Sequence, residues 1–161
     1  MNYKPSTILF VQGALIAASY VALTIVFAPL SFMEIQVRIS ESLTILPVFT
    51  AAAVPGLTIG CFLSNILCGA PLPDVIFGSL ATLVGAVGTR LLRNRSPVLA
   101  VLPPIISNML VIPFVLHYAY GVPLPIPLLM VAIGIGETIS CGALGLLLYK
   151  ILFPHRKNIF K

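Results

Sequence analysis

Glu137 lies in the middle of a long apolar run, within Gly134-Ile-Gly136-Glu137-Thr138. An ionised acid at the centre of a membrane span costs about 2.5–3.5 kcal/mol on insertion scales. Such a residue faces the interior of a helix bundle and marks a substrate or ion path. The structural alternative is a protonated Glu bonded to a neighbouring helix. Asn108 lies near the middle of the preceding apolar run, after Pro103-Pro104. Counted in from opposite ends, it reaches a similar depth. A carboxylate and an amide together present donors and acceptors to a polar ligand. Alternatively they make an interhelical hydrogen bond, worth about 1 kcal/mol.

Four further polar residues are candidates. Arg38 and Glu41 could pair with each other or reach over the mouth of a bundle as a lid. An exposed pair contributes only roughly 0–1 kcal/mol. Asp74 directly precedes an apolar run, so N-capping accounts for it and a ligand role is the alternative. Asn65, near the end of the apolar run before it, has the same two readings. His117, Tyr118 and Tyr120 read as interfacial residues, although a tyrosine there could stack on a planar ligand. Ala14, Ala18 and Ala22, with Ala17 adjacent, put small side chains on one helix face. That face could pack inside the bundle or dock a separate subunit.

Several chemistries have no carrier. There is no GxxxxGK[ST] for ATP and no HExxH. The two histidines lie near span ends, and no His or Cys cluster suggests a metal. Cys61, Cys68 and Cys141 lie in apolar segments without a CxxC and read as small packing residues. An enzyme is not expected.

The elements that position these residues must be membrane helices. Of 161 residues, 59% are hydrophobic and 8% charged, with a mean hydropathy of +1.12. A soluble domain needs about a quarter of its residues charged. In lipid the backbone must satisfy its own hydrogen bonds, which leaves helices or closed barrels, and the long apolar runs lack barrel-type alternation. The net charge of +5 sits at helix ends as a topology signal, so nucleic acid is not an expected partner. A single integral membrane domain over residues 1–161 is expected.

Six helices are predicted, at about Thr7–Ala28, Glu41–Val54, Leu57–Cys68, Asp74–Leu92, Val98–His117 and Ile126–Leu152. Pro29 stops the first. The apolar run that opens the chain is longer than a signal-peptide core, so it is kept as a span. Residues 34–40 alternate polar and apolar, which predicts an extended segment with one apolar face. Pro55-Gly56 predicts a tight turn. Spanning takes about 20 residues. The second and third helices are shorter, about 14 residues or roughly 21 Å, and read as a hairpin that does not fully cross alone. Short spans often mark a binding site, since irregular backbone at membrane depth must line a cavity. Gly69-Ala-Pro-Leu-Pro73 and Gly121-Val-Pro-Leu-Pro125 echo each other before the fourth and sixth helices, and read as helix initiation.

With both termini cytoplasmic, Lys4, Arg90, Arg93, Arg95, Lys150, Arg156, Lys157 and Lys161 are inside. Of the nine Lys and Arg residues only Arg38 is then outside, as the positive-inside rule asks.

The stretch Gln36-Val-Arg-Ile-Ser-Glu-Ser-Leu-Thr-Ile-Leu-Pro47 resembles the QueT family of queuosine-precursor transporters. So do Ala53-Val-Pro-Gly-Leu57 and Gly69-Ala-Pro-Leu-Pro-Asp-Val-Ile-Phe-Gly-Ser-Leu-Ala81, and the likeness covers nearly the whole chain. The resemblance implies an all-α, six-transmembrane-helix bundle, the substrate-binding S component of an energy-coupling factor (ECF) transporter in a bacterial cell membrane. It implies a membrane coupling subunit and two ATPase subunits as partners, with ATP used by those partners and no cofactor in this chain. Ala14, Ala18 and Ala22 fall where S components dock the coupling subunit, and the Arg38 loop would be a lid. The implied substrate is a 7-deazaguanine such as preQ0, preQ1 or queuine. Glu137 would then accept the N1–H and 2-amino group of such a ring as a charge-assisted pair. Asn108 would serve the O6 edge, and Glu41 or Asp74 would meet the aminomethyl cation of preQ1. The competing readings are an S component for another micronutrient, a stand-alone ion-coupled carrier with Glu137 as its proton site, and a structural membrane subunit.

Overall fold

A computed structural model describes residues 5–28 and 37–160. It is all-helical, with no strand among the described residues. In chain order come α1 (Pro5–Val26), a 3₁₀ helix (Ile39–Val48), α2 (Ala53–Leu67) and α3 (Leu72–Leu91). A single turn, Pro97–Ala100, leads into α4 (Leu102–Tyr118). The last run holds α5 (Ile126–Glu137), a π-helical segment (Thr138–Leu144) and α6 (Gly145–Leu152). Four runs are long and apolar enough to cross a membrane: Ser6–Val26, Leu72–Leu91, Pro97–Tyr118 and Ile126–Ile159. The 3₁₀ helix and α2 are the short pair. The six-helix count and the short second and third members agree with the sequence reading.

Three local expectations are corrected. The expected turn at Pro55-Gly56 lies inside the first turn of α2, and the chain turns at residues 49–52 instead. A proline in the first turn removes an N–H that has no intrahelical partner anyway. The second element is a 3₁₀ helix rather than an α-helix over 41–54. Its Ser42 hydroxyl donates to the Ile39 carbonyl at 2.7 Å, and the Thr44 hydroxyl lies 2.5 Å from the Glu41 carbonyl. Pro47 removes one further donor. Such back-bonding competes with the regular i→i−4 ladder. The expected extended stretch ends at Arg38, because Ile39 already opens the 3₁₀ helix; residues 34–36 of that stretch lie outside the described residues.

Close backbone approaches hold the bundle together. A Cβ on Gly56 would sit 2.7 Å from the Gly13 carbonyl, and one on Gly60 would sit 2.8 Å from Tyr20 Cβ. Those contacts bring α2 against α1. On α3, a Cβ on Gly85 would meet Pro104 Cα at 2.7 Å, and α4 packs there. Lipid cannot drive apolar helices together, so small residues that allow intimate packing do. Gly69 and Gly121, in the two echoed loops, both adopt positive φ, +72° and +69°. That conformation suits glycine.

The polarity of the bundle is inverted relative to a soluble protein. Phe10 is 78% exposed and Leu91 75%, whereas Arg38, Glu41, Asn65, Asp74, Asn108 and Glu137 are all buried. Lipid solvates the first group, and the second must find partners inside.

Candidate substrate site

The buried polar residues fall into two linked groups. The first lies at the start of α3. Arg38, just before the 3₁₀ helix, donates through Nη2 to Asn65 Oδ1 on α2 at 2.9 Å. Asn65 Nδ2 donates to the backbone carbonyl of Asp74 at 3.2 Å. The Asp74 side chain accepts the Tyr120 hydroxyl at 2.6 Å, which ties the two glycine-led loops together. Burial, and then that hydrogen bond to Asp74, hold the Tyr120 phenol above its ordinary range.

This geometry corrects two readings. Asp74 is not the N-cap of α3. The helix begins at Leu72 with Pro71 as its cap residue and no side-chain cap bond, and Asp74 sits in the first turn. Its carboxylate is therefore free to face the bundle. Arg38 and Glu41 are not an exposed surface pair, since both are buried. Each works with residues far away in the chain.

The second group lies where α4, the 3₁₀ helix and the last run meet. Glu137 ends α5, and Asn108 Nδ2 on α4 donates to its Oε1 at 2.8 Å. The Cys141 thiol, one turn further on, donates to Glu137 Oε2 at 3.1 Å. The spacing i, i+4 puts both on one helix face. Glu41 comes in from the 3₁₀ helix and accepts the Tyr20 hydroxyl from α1 through Oε1. The other Glu41 oxygen, Oε2, and the Ser140 hydroxyl are buried without a hydrogen-bond partner among the described residues. Ligand atoms of Glu41, Glu137 and Cys141 all lie within 4.8 Å of one another. That is the one group among the described residues with the spacing of a metal-ligand set. Two carboxylates and one thiol held this close form a strongly acceptor-rich locus, suited to a cationic or multiply donating ligand.

Helix 6 of the sequence reading is not uniform. It widens into a π segment directly after Glu137, and such π-bulges recur at functional sites. Residues from α1, the 3₁₀ helix, α4 and the last run thus converge on one buried point, and Asn65 and Asp74 flank it. Sequence reasoning passed over Tyr20, and it read Cys141 as a small packing residue although its thiol bonds Glu137. The i, i+4 relation of Glu137 to Cys141 was a usable signal for one. A tyrosine only 1% exposed in the middle of the first span could have revealed the other, since a buried phenol must donate somewhere. Tyr118 stays outside the cluster, 74% exposed, as an interfacial aromatic does. Ala14, Ala18 and Ala22 are exposed and line a groove of about 760 Å³ between α1 and α2.

Residues 10–154 match the family model described as QueT transporter, a stretch that includes every member of both polar groups. The chain belongs to the QueT transporter family. That is a family of transporters, not of enzymes. A segment of 83 residues is 40% identical to the queuosine precursor transporter QueT of Lactococcus lactis subsp. cremoris (strain MG1363). The match covers 50% of this chain and 48% of that protein, so it spans about half the length of the relative. No solved structure matches significantly. For a QueT family transporter, the buried polar groups have a ready chemical sense. A polar solute in an apolar bundle needs replacement hydrogen bonds, and buried polar side chains are the groups able to supply them.

Proposed function

We propose that this chain is the substrate-binding S component of an ECF-type importer for a queuosine precursor, a 7-deazaguanine such as preQ0, preQ1 or queuine. The observation that carries the reading is the buried Asn108–Glu137 pair beside Glu41, in a chain of the QueT family. A guanine-like edge presents N1–H and a 2-amino group side by side, and one carboxylate accepts both. Glu137 takes that role, releasing the Asn108 amide to donate to O6, the one ring acceptor left on the other edge because position 7 of a 7-deazaguanine is a carbon. Glu41 Oε2, which has no hydrogen-bond partner among the described residues, is the acceptor for a substituent ammonium, with Asp74 as the other candidate. Arg38 and Asn65 close the cluster at the Asp74 end.

Coupling supports the same reading. In this reading ATP is used by two ATPase partners acting through a membrane coupling subunit, which agrees with a chain that carries no phosphate-binding loop of its own. The exposed face of Ala14, Ala18 and Ala22 is the docking surface, because small side chains let a partner helix approach closely. Both termini and the Arg93 end lie on the cytoplasmic side of a bacterial cell membrane, by the positive-inside rule. The Arg38 segment then lies outside, over the entry to the site.

The test is direct binding of preQ0, preQ1 and queuine to purified protein, wild type and Glu137→Gln. Unchanged affinity in the variant sinks the Glu137 role, and no binding of any of the three bases sinks the substrate class. One observation favours a second reading. Carboxylate oxygens of Glu41 and Glu137 lie within 4.8 Å of each other, so one bound proton would relieve the repulsion between them, and a proton-coupled carrier could use that. Uptake that persists without ATPase partners would select it.

A further inference from the structure

The end of the bundle remote from Asp74 carries a second candidate site. Asp74 is in the first turn of α3 and Arg93 lies just past its last turn, so about 20 residues, or ~30 Å, separate them. At the Arg93 end a groove of about 300 Å³ opens between the end of the 3₁₀ helix and the C-terminal run. Its wall is aromatic and ordered by stacking. Phe49 stacks on Tyr149 at 5.3 Å and on Phe160 at 5.2 Å between ring centroids. Its rim is cationic: Arg93, Arg156 and Lys157 all line it. The Arg156 guanidinium sits 3.8 Å over the Phe153 ring and donates to the Phe153 carbonyl at 2.7 Å. That contact fixes its position while leaving other N–H donors available.

No acid among the described residues answers these charges. The chain has four acidic residues. Glu41, Asp74 and Glu137 are buried in the polar cluster, and no acid lines the groove. Topology alone puts cations near span ends. It does not ask three of them to converge on one aromatic-walled groove. We propose that this groove is a binding site for an anionic phospholipid, with the headgroup phosphate held by Arg93, Arg156 and Lys157 against the aromatic wall. Basic pockets between membrane helices recognise anionic headgroups in this way, and aromatic rings sit at headgroup level.

The experiment is native mass spectrometry of the full chain released from an equimolar mixture of phosphatidylglycerol and phosphatidylcholine. Wild type is compared with Arg93→Gln/Lys157→Gln, which leaves the Arg156–Phe153 contact in place. A control, Arg95→Ala/Lys150→Ala, removes the same charge from exposed positions that do not line the groove. The expected result is a several-fold preference for phosphatidylglycerol in wild type and control, lost in the groove variant. Equal retention of both lipids by wild type overturns the proposal, as does an equal loss in groove variant and control. Millimolar inorganic phosphate that gives the same thermal protection as phosphatidylglycerol would make the groove a free-anion site and overturn it too.

Discussion

Asn108 Nδ2 and Glu137 Oε1 lie 2.8 Å apart, joining α4 to the end of α5 inside the bundle. Both are buried, so each is the other's replacement for water. A substrate that enters must compete with this bond. Glu137→Gln keeps the shape and a hydrogen bond to Asn108 but removes the charge-assisted acceptor. Hydrogen bonds to charged groups contribute about 1.5–3 kcal/mol, so affinity for a 7-deazaguanine should fall roughly 10- to 100-fold. Thermal stability in detergent should change little. Isothermal titration beside a melting curve separates the two. A variant that melts early and binds normally would make the pair structural.

Glu41 offers a sharper discrimination. Its Oε1 is held by Tyr20, and its Oε2 has no hydrogen-bond partner among the described residues. If Oε2 meets a ligand ammonium, Glu41→Gln should weaken preQ1, which carries an aminomethyl cation, about tenfold or more. The nitrile-bearing preQ0 should lose far less. Competition of the two bases against one labelled ligand reads the ratio. An equal loss for both would move the ammonium to Asp74 or remove it from the cluster.

Much of this organisation was legible beforehand, for identifiable reasons. Long apolar runs and sparse charge specify helices in lipid, and a buried acid at mid-span has few bland explanations, so Glu137 and Asn108 were paired on depth alone. What escaped was set by tertiary contacts. The Cys141 thiol lies 3.5 Å from the Glu41 carbonyl across a sequence separation of 100, and no spacing rule reaches that far. Asp74 stands where an N-cap would be expected, but Pro71 and Pro73 begin α3 earlier and turn its carboxylate to Tyr120. The 3₁₀ form of the second helix depends on hydroxyl back-bonding that apolar periodicity does not register.

The two faces of α1 should respond oppositely to added bulk. Gly60 of α2 packs on the inner face, where a Cβ would lie 2.8 Å from Tyr20 Cβ and 3.2 Å from Ala17 Cα. Gly60→Ala should push the helices apart and cost about 1–3 kcal/mol, as overpacking does. It should also disturb Glu41 through Tyr20. Ala18 is on the outer face and exposed. Ala18→Trp should leave melting temperature and base affinity unchanged while blocking co-purification with a coupling subunit. Loss of fold in Ala18→Trp, or normal assembly, would remove the docking role from this face.

Tyr120 gives a pH-dependent prediction. Its hydroxyl donates to Asp74 at 2.6 Å, and burial together with that contact raises the phenol's pKa above the ordinary value. A group whose pKa is higher in the folded state contributes stability that is fully present below its unfolded pKa, about 10 for tyrosine. That contribution is lost as pH rises through the folded value. Melting temperature in detergent should therefore decline above about pH 10. Tyr120→Phe should melt lower at neutral pH, by the equivalent of about 1 kcal/mol, because Asp74 loses a donor. It should then show a shallower decline than wild type at alkaline pH. Parallel alkaline curves for the two proteins would mean that the phenol does not carry the effect, and that the link between the two glycine-led loops rests on backbone packing instead.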